Sequence, residues 1–284
     1  GLYFPALQNT SYMNKYEKDY VGLLKDILHN PDTKDRENRT ESKTIMAFGK
    51  SLEVDLRESF PILQGRKMFP KTFFTELKWF LEGETNIQRF KDAGVSIWNL
   101  WADDNGDLGP VYGHQLRKFN YPTNNVDQLA YIIDKLKSDP HDRRMVVSLW
   151  NPVQLDEMKL PPCYHTFTFC VTNGELNIDI AMRSSDVFVG LPYDVALFAT
   201  MNTLICKEVG LKPGRLKFNL ADAHIYWDNR GDMHEYIWEV LGLNKESWPK
   251  LNIPEDQTLY NFEPENLEIT EYLPVKYLKV KVVK

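Results

Sequence analysis

Apolar residues recur at Tyr16, Tyr20, Leu23, Leu24, Ile27 and Leu28, a spacing that predicts an amphipathic helix. The charged stretch from Asp32 to Lys43 breaks that period and reads as an exposed loop. Residues 44–56 read as a strand with a kink at Gly49. Helical spacing returns over residues 71–82, where Phe74, Leu77, Trp79 and Leu81 supply apolar faces. Gly, Asp, Asn and aromatic residues crowd positions 98–112, the composition of a long ordered loop, and such loops often carry function. Val126, Leu129, Ile132, Ile133 and Leu136 predict another helix, ended by Pro140. Residues 143–150 read as a strand, and 163–172 and 175–183 as two more around an Asn173-Gly174 turn. Pro192 is placed to open a long apolar helix that closes at Gly210. Short strands at 215–220, 267–271 and 277–283 and a helix near 231–241 complete an α+β pattern. No repeat or linker divides it, so residues 13–284 are read as one domain. Residues 1–12 are expected to be disordered or foreign to the native protein, with Met13 its natural start.

The 284 residues are 43% hydrophobic and 26% charged, which suits a globular chain with a large core and fits neither disorder nor a coiled coil. With 34 basic against 40 acidic residues the net charge is −6. A duplex-coating protein carries a positive balance or a basic stripe, so no duplex nucleic acid is expected as partner. Local arginines still suit one small phosphate. The three cysteines, Cys163, Cys170 and Cys206, are odd in number and lack CxxC spacing. That argues against a disulfide framework or a structural zinc, and for a reducing compartment. No apolar run has the length of a membrane span, and no signal peptide opens the chain. A cytoplasmic location follows as the expectation.

Cys163, in LPPCYHTFTF, starts a strand just after two prolines. A single cysteine is more often a small hydrophobe than a nucleophile, which needs access and nearby cations. Arg143, Arg144 and Arg183 are candidate cations, and paired arginines suit a phosphate dianion as well as a solvated strand end. Glu76 lies on a mostly apolar helix, either as a surface carboxylate or as a buried acid tuned for proton transfer. Asp194 falls in the first turn of the long helix, where the dipole alone favours a carboxylate. His224 and Tyr226 are equally consistent with packed aromatics. Spacing and composition stop at an enzyme-like α+β domain.

The stretches ELKWFLEGETN, IWNLWADDNGDLGPVYG, HDRRMVVSLWNP, LPPC, MRSSDVFVGLPYD and DAHIY, in that order, resemble the thymidylate synthase family from about Tyr16 onward. The resemblance implies a homodimer with a six-stranded mixed sheet at its interface. It also implies a pyrimidine nucleoside monophosphate as acceptor and 5,10-methylenetetrahydrofolate as one-carbon donor, with no metal. By position, Cys163 would add to C6 of the pyrimidine, so that C5 attacks the folate methylene. Arg39, Arg183 and Ser184 match residues that hold the 5′-phosphate, and Arg143 and Arg144 the pair reaching it from the partner subunit. His224 and Tyr226 match the contacts to the sugar hydroxyl, and Glu76 the carboxylate that organises proton transfer. Trp98, Asn99, Leu160, Asp186, Gly190 and Tyr193 fall where the folate packs, with Asp186 also at the nucleotide. Tyr112 lies beside the nucleophile.

Three departures bear on the reaction. Synthases place Asn where this chain has Asp194. A carboxamide reads uracil, whereas an Asp accepts from the cytosine amino group and shares a proton with N3. The residue therefore resembles the deoxycytidylate hydroxymethylases, and the wrong base leaves a buried polar group unpaired. Tyr164 stands where His usually follows the nucleophile. The chain ends KVKVVK rather than in a small apolar terminus, which predicts a looser closure and water capture of the transferred carbon as hydroxymethyl. Trp98 and Trp101, which in the family shield that carbon, argue for hydride and a methyl product. The glycine pair that usually follows Arg39 is also missing, since the chain reads RTESKT.

Overall fold

A computed structural model describes residues 12–40 and 42–283. The first element, α1 (Lys15–His29), starts where the Asn14 side chain accepts the Glu17 N–H, and it buries Tyr16, Tyr20, Leu24 and Ile27. The chain then forms β1 (Thr33–Arg36) and β2 (Thr44–Asp55), followed by α2 (Pro70–Leu81), α3 (Gln88–Ala93), α4 (Tyr112–Arg117) and α5 (Gln128–Ser138). Next come β3 (Val146–Ser148), β4 (Tyr164–Thr172), β5 (Glu175–Met182) and the two-residue β6 (Ser185–Asp186). The long helix α6 (Leu191–Val209) leads into β7 (Lys212–Tyr226), α7 (Arg230–Leu241), β8 (Lys250–Asn252) and β9 (Glu268–Thr270).

The main sheet has seven strands in the order β1-β2-β7-β5-β4-β3, with β6 paired to β7 off this path. The implied six strands are the six of that path, and the seventh is the short β6. β7 pairs in parallel with β5 and β6 and antiparallel with β2, so the sheet is mixed and the expected α+β class holds. Along β5, buried Leu176, Ile178, Ile180 and Met182 alternate with half-buried or exposed Asn177, Asp179 and Ala181. The strand therefore turns one face to the core and the other outward. Gly49 takes φ of 68° inside β2, where the kink was expected. α6 is buried nearly all round, which suits a central helix.

Several expected boundaries shift. The stretch 32–43 contains β1, which is short and polar because it is an edge strand. Only 146–148 of the expected 143–150 strand pairs, since Arg143 and Arg144 precede the ladder. β7 is far longer than 215–220, and it carries the DAHIY segment to the site. Residues 277–283 form no strand, because they run as an irregular tail over the site.

Candidate active site

Two cavities share one wall. The first, about 610 Å³, is lined among others by Arg39, Cys163, Arg183, Ser184, Asp186, His224 and Tyr226. The second, about 450 Å³, takes Glu76, Trp98, Tyr193 and Asp194. Trp101, Leu160, Val189, Gly190 and Val282 line both. A larger groove of about 850 Å³ lies behind α2, between Lys71, Arg89 and Glu263, and holds none of the expected site residues.

Local folding explains how each side chain arrives. On α2, Phe73, Phe74, Leu77 and Phe80 are buried, while Thr72 and Glu76, one turn apart, line the second cavity. At the start of α6, Gly190, Tyr193 and Asp194 share one face by the same period, and all three line the second cavity. β6 pairs with β7 at Asp186 and His224, which brings both to the first cavity. Cys163 sits just before β4, and its N–H donates to the Tyr112 hydroxyl at 2.9 Å.

The thiol is half-buried. Burial pushes it above the ordinary cysteine range, and Asp194 adds to the rise against Arg183, Tyr112 and Arg39. Arg183 Nη2 lies 3.9 Å from Sγ, and its guanidinium is steered by the carbonyls of Pro161 and Pro162 at 2.8 and 2.9 Å. The two prolines thus aim the cation at the nucleophile. Burial pushes the Glu76 carboxyl up to about 7, opposed by the Trp98 indole, which makes no hydrogen bond of ordinary geometry. Asp194 is held well above the usual carboxylate range by burial, with Glu76 and Asp186 repelling its charge. A neutral carboxyl offers one donor and one acceptor.

Tyr164 is buried, boxed by Tyr112 at 4.7 Å and Phe198 at 5.1 Å between ring centroids. Asn99 is exposed and belongs to neither cavity, and its backbone N–H closes a turn onto the Ser96 carbonyl. Arg143 and Arg144 are also exposed and outside both cavities, with Arg144 paired to Asp142. The tail runs along both cavities. Tyr277, Leu278, Val280 and Val282 line the second cavity, and Val282 and Val283 the first. Asn229 anchors the tail by bonds to Lys281 N and O at 2.9 and 2.8 Å, while Lys284 lies outside the described residues.

Sequence reasoning missed Arg36, Asp222 and Arg66. Arg66 is buried in the wall of the second cavity, donates to the Phe188 carbonyl at 2.8 Å, and keeps its Nη2 without a protein partner. A buried arginine between polar neighbours has no periodic signature. That donor, together with the unpartnered indole N–H groups of Trp98 and Trp101, suits a flat ligand edged with acceptors.

A thiol beside an arginine, with two half-buried acids across a shared wall, is the equipment of an enzyme working by covalent addition. The family model described as thymidylate synthase matches residues 18–284, and the chain belongs to that family. It is accordingly a one-carbon transferase of pyrimidine nucleotides, with methylenetetrahydrofolate as the donor.

Proposed function

We propose that this transferase places a hydroxymethyl group on C5 of dCMP. Asp194 carries the reading. It lines the second cavity, half-buried near Glu76 and close enough to act on the charge of the Cys163 thiol, at the position where synthases place Asn. Its acceptor oxygen suits the cytosine amino group, and its proton suits N3. Sharing that proton makes C6 more electrophile-like, and Cys163 Sγ adds there to activate C5. Arg39, Arg183 and Ser184 hold the phosphate, with Arg143 and Arg144 supplied by a second copy. His224 and Tyr226 hold the sugar hydroxyl, and Glu76 moves the proton. Methylenetetrahydrofolate supplies the carbon and fits the second cavity, where Trp98, Leu160, Gly190 and Tyr193 would pack it and Asp186 would stand at its edge. Asn99, on the surface, has no part in this reading.

A second reading is C5 methylation of dUMP or dCMP with release of dihydrofolate. The valines of the tail and the two indoles favour it, because a dry cavity disfavours capture by water. Mass spectrometry of products from methylenetetrahydrofolate with dCMP or dUMP decides between them. Hydroxymethylated dCMP is expected, and Asp194→Asn should move the preference toward dUMP by roughly 10- to 100-fold. A methylated product would replace the first reading with the second. Turnover of dUMP alone would sink the base assignment.

A further inference from the structure

The wall of the first cavity holds a side-chain chain that ends on His224. Arg36 of β1 grips Asp222 of β7 through both terminal nitrogens, with Nη2 to Oδ1 at 3.1 Å, and its Nε reaches Thr44 Oγ1 at 3.3 Å. Asp222 Oδ1 in turn stands 3.0 Å from His224 Nδ1. Burial works against the Asp222 charge, yet His224 and Arg36 together hold its carboxyl down at about 2. A carboxylate only accepts, so the proton on that contact belongs to Nδ1. The His224 ring is buried, lines the cavity and meets the Tyr226 ring edge-on at 5.3 Å, which restricts its rotation. With Nδ1 taken, Nε2 is the nitrogen left for a ligand.

We propose that Asp222, clamped by Arg36, is a positioning residue that fixes His224 as the Nδ1–H tautomer and presents Nε2 as an acceptor to the nucleotide's sugar hydroxyl. The proposal rests on the reading of His224 as a sugar contact. It also separates the arginines of this cavity by role. Arg36 lines the wall, but its guanidinium is committed to Asp222 and Thr44, so it orients His224 rather than holding phosphate. Asp222 touches substrate through His224 alone. Without its partner the ring is free to take the Nε2–H form, which offers a donor where an acceptor is needed.

Two measurements test this. Nitrogen-15 spectra of the intact enzyme, with the His224 signals assigned by comparison with His224→Gln, should show the Nδ1–H tautomer. Asp222→Ala should then raise KM for dCMP about tenfold, the worth of one ordinary hydrogen bond, with kcat within about threefold. That rise should vanish for the 2′,3′-dideoxy nucleotide, which has no hydroxyl to present. An Nε2–H ring in the unsubstituted enzyme overturns the proposal even if the variant fails to fold. An unchanged KM in a folded variant overturns it too. A KM rise that persists with the dideoxy nucleotide, alongside an Nδ1–H ring, keeps the clamp and removes the sugar contact.

Discussion

Glu76 faces a cavity from a helix whose neighbouring residues Phe73, Leu77 and Phe80 are packed into the core, so its carboxyl loses water and ionises only near pH 7. An acid poised there can both give and take a proton at neutral pH. The native pKa of about 7 lies above the ordinary 4.5, so the stabilising contribution is complete below about pH 4.5 and is lost as pH rises through 7. The loss is on the order of 3 kcal/mol, the free energy of that displacement. Glu76→Gln removes it. The variant is expected to lower kcat by roughly 10²- to 10⁴-fold while melting higher than the unsubstituted chain at pH 8 and much like it at pH 5. Parallel melting curves at the two pH values would refute the account. Tyr164 adds to the same dry setting. Where the family carries a His, this chain packs a phenol into an aromatic box, near Glu76, Asp194 and Cys163.

Elements differ in how openly the sequence announces them, and the loop 64–67 shows why the less legible ones matter. Glu17, buried on α1, accepts the N–H groups of Gln64 and Gly65 at 2.9–3.0 Å and the Tyr236 hydroxyl at 2.9 Å, tying α1 and α7 to the loop that carries Arg66. Gly65 has no room for a side chain, since a Cβ there would lie 2.0 Å from Val240 Cγ2. Gly65→Ala is expected to destabilise the enzyme by about 1–3 kcal/mol and lower Tm by several degrees. It should also raise KM for the folate through a displaced Arg66, with KM for nucleotide little changed. Thermal unfolding and paired KM values check this, and a neutral effect on both would show that α7 yields. None of it is visible as a pattern. The helices α1, α2 and α5 were legible because burial imposes their period, α6 because Pro192 and Gly210 bound a long apolar run, and the β4–β5 hairpin because Asn173-Gly174 takes left-handed φ at both turn positions. β1 and the tail were not, because polar edge pairing and irregular packing leave no periodic trace. At the site, the motifs brought Cys163, Arg183, Glu76, Asp194 and His224 together, whereas Arg36 and Arg66 depend on register across strands and loops distant in sequence, and Asp222, although inside DAHIY, shows its part only once Arg36 is paired to it.

At the scale of the whole molecule, the sheet turns one face outward. Every second residue of β5, and of β4 from Phe167 on, points away from the core, and Phe48 of β2 stands 71% exposed next to the Gly49 kink. A monomer leaves that surface wet; a second copy across a twofold axis would cover it with the same surface. The arginines give the same indication from another direction. Arg143 and Arg144 are exposed just ahead of β3, outside their own chain's cavities, although the motif that contains them matches a phosphate-binding pair. A twofold pair would let each copy lend these arginines to the other's nucleotide. Complementation tests the arrangement. Cys163→Ala and the double variant Arg143→Ala, Arg144→Ala are each expected to be nearly inactive alone. Mixed under conditions that exchange subunits, half of the dimers would be hybrids. In each hybrid one site has both the thiol and the borrowed arginines, so activity should recover to about a quarter of that of the unsubstituted enzyme. If the arginines served their own chain, neither site of a hybrid would be intact and no activity would return, and a second comparison puts all three substitutions in one chain. Mixed with the unsubstituted enzyme, borrowed arginines leave the hybrid with no complete site, because its one thiol faces a partner without them, and activity falls to about a quarter. Arginines acting within their own chain leave half.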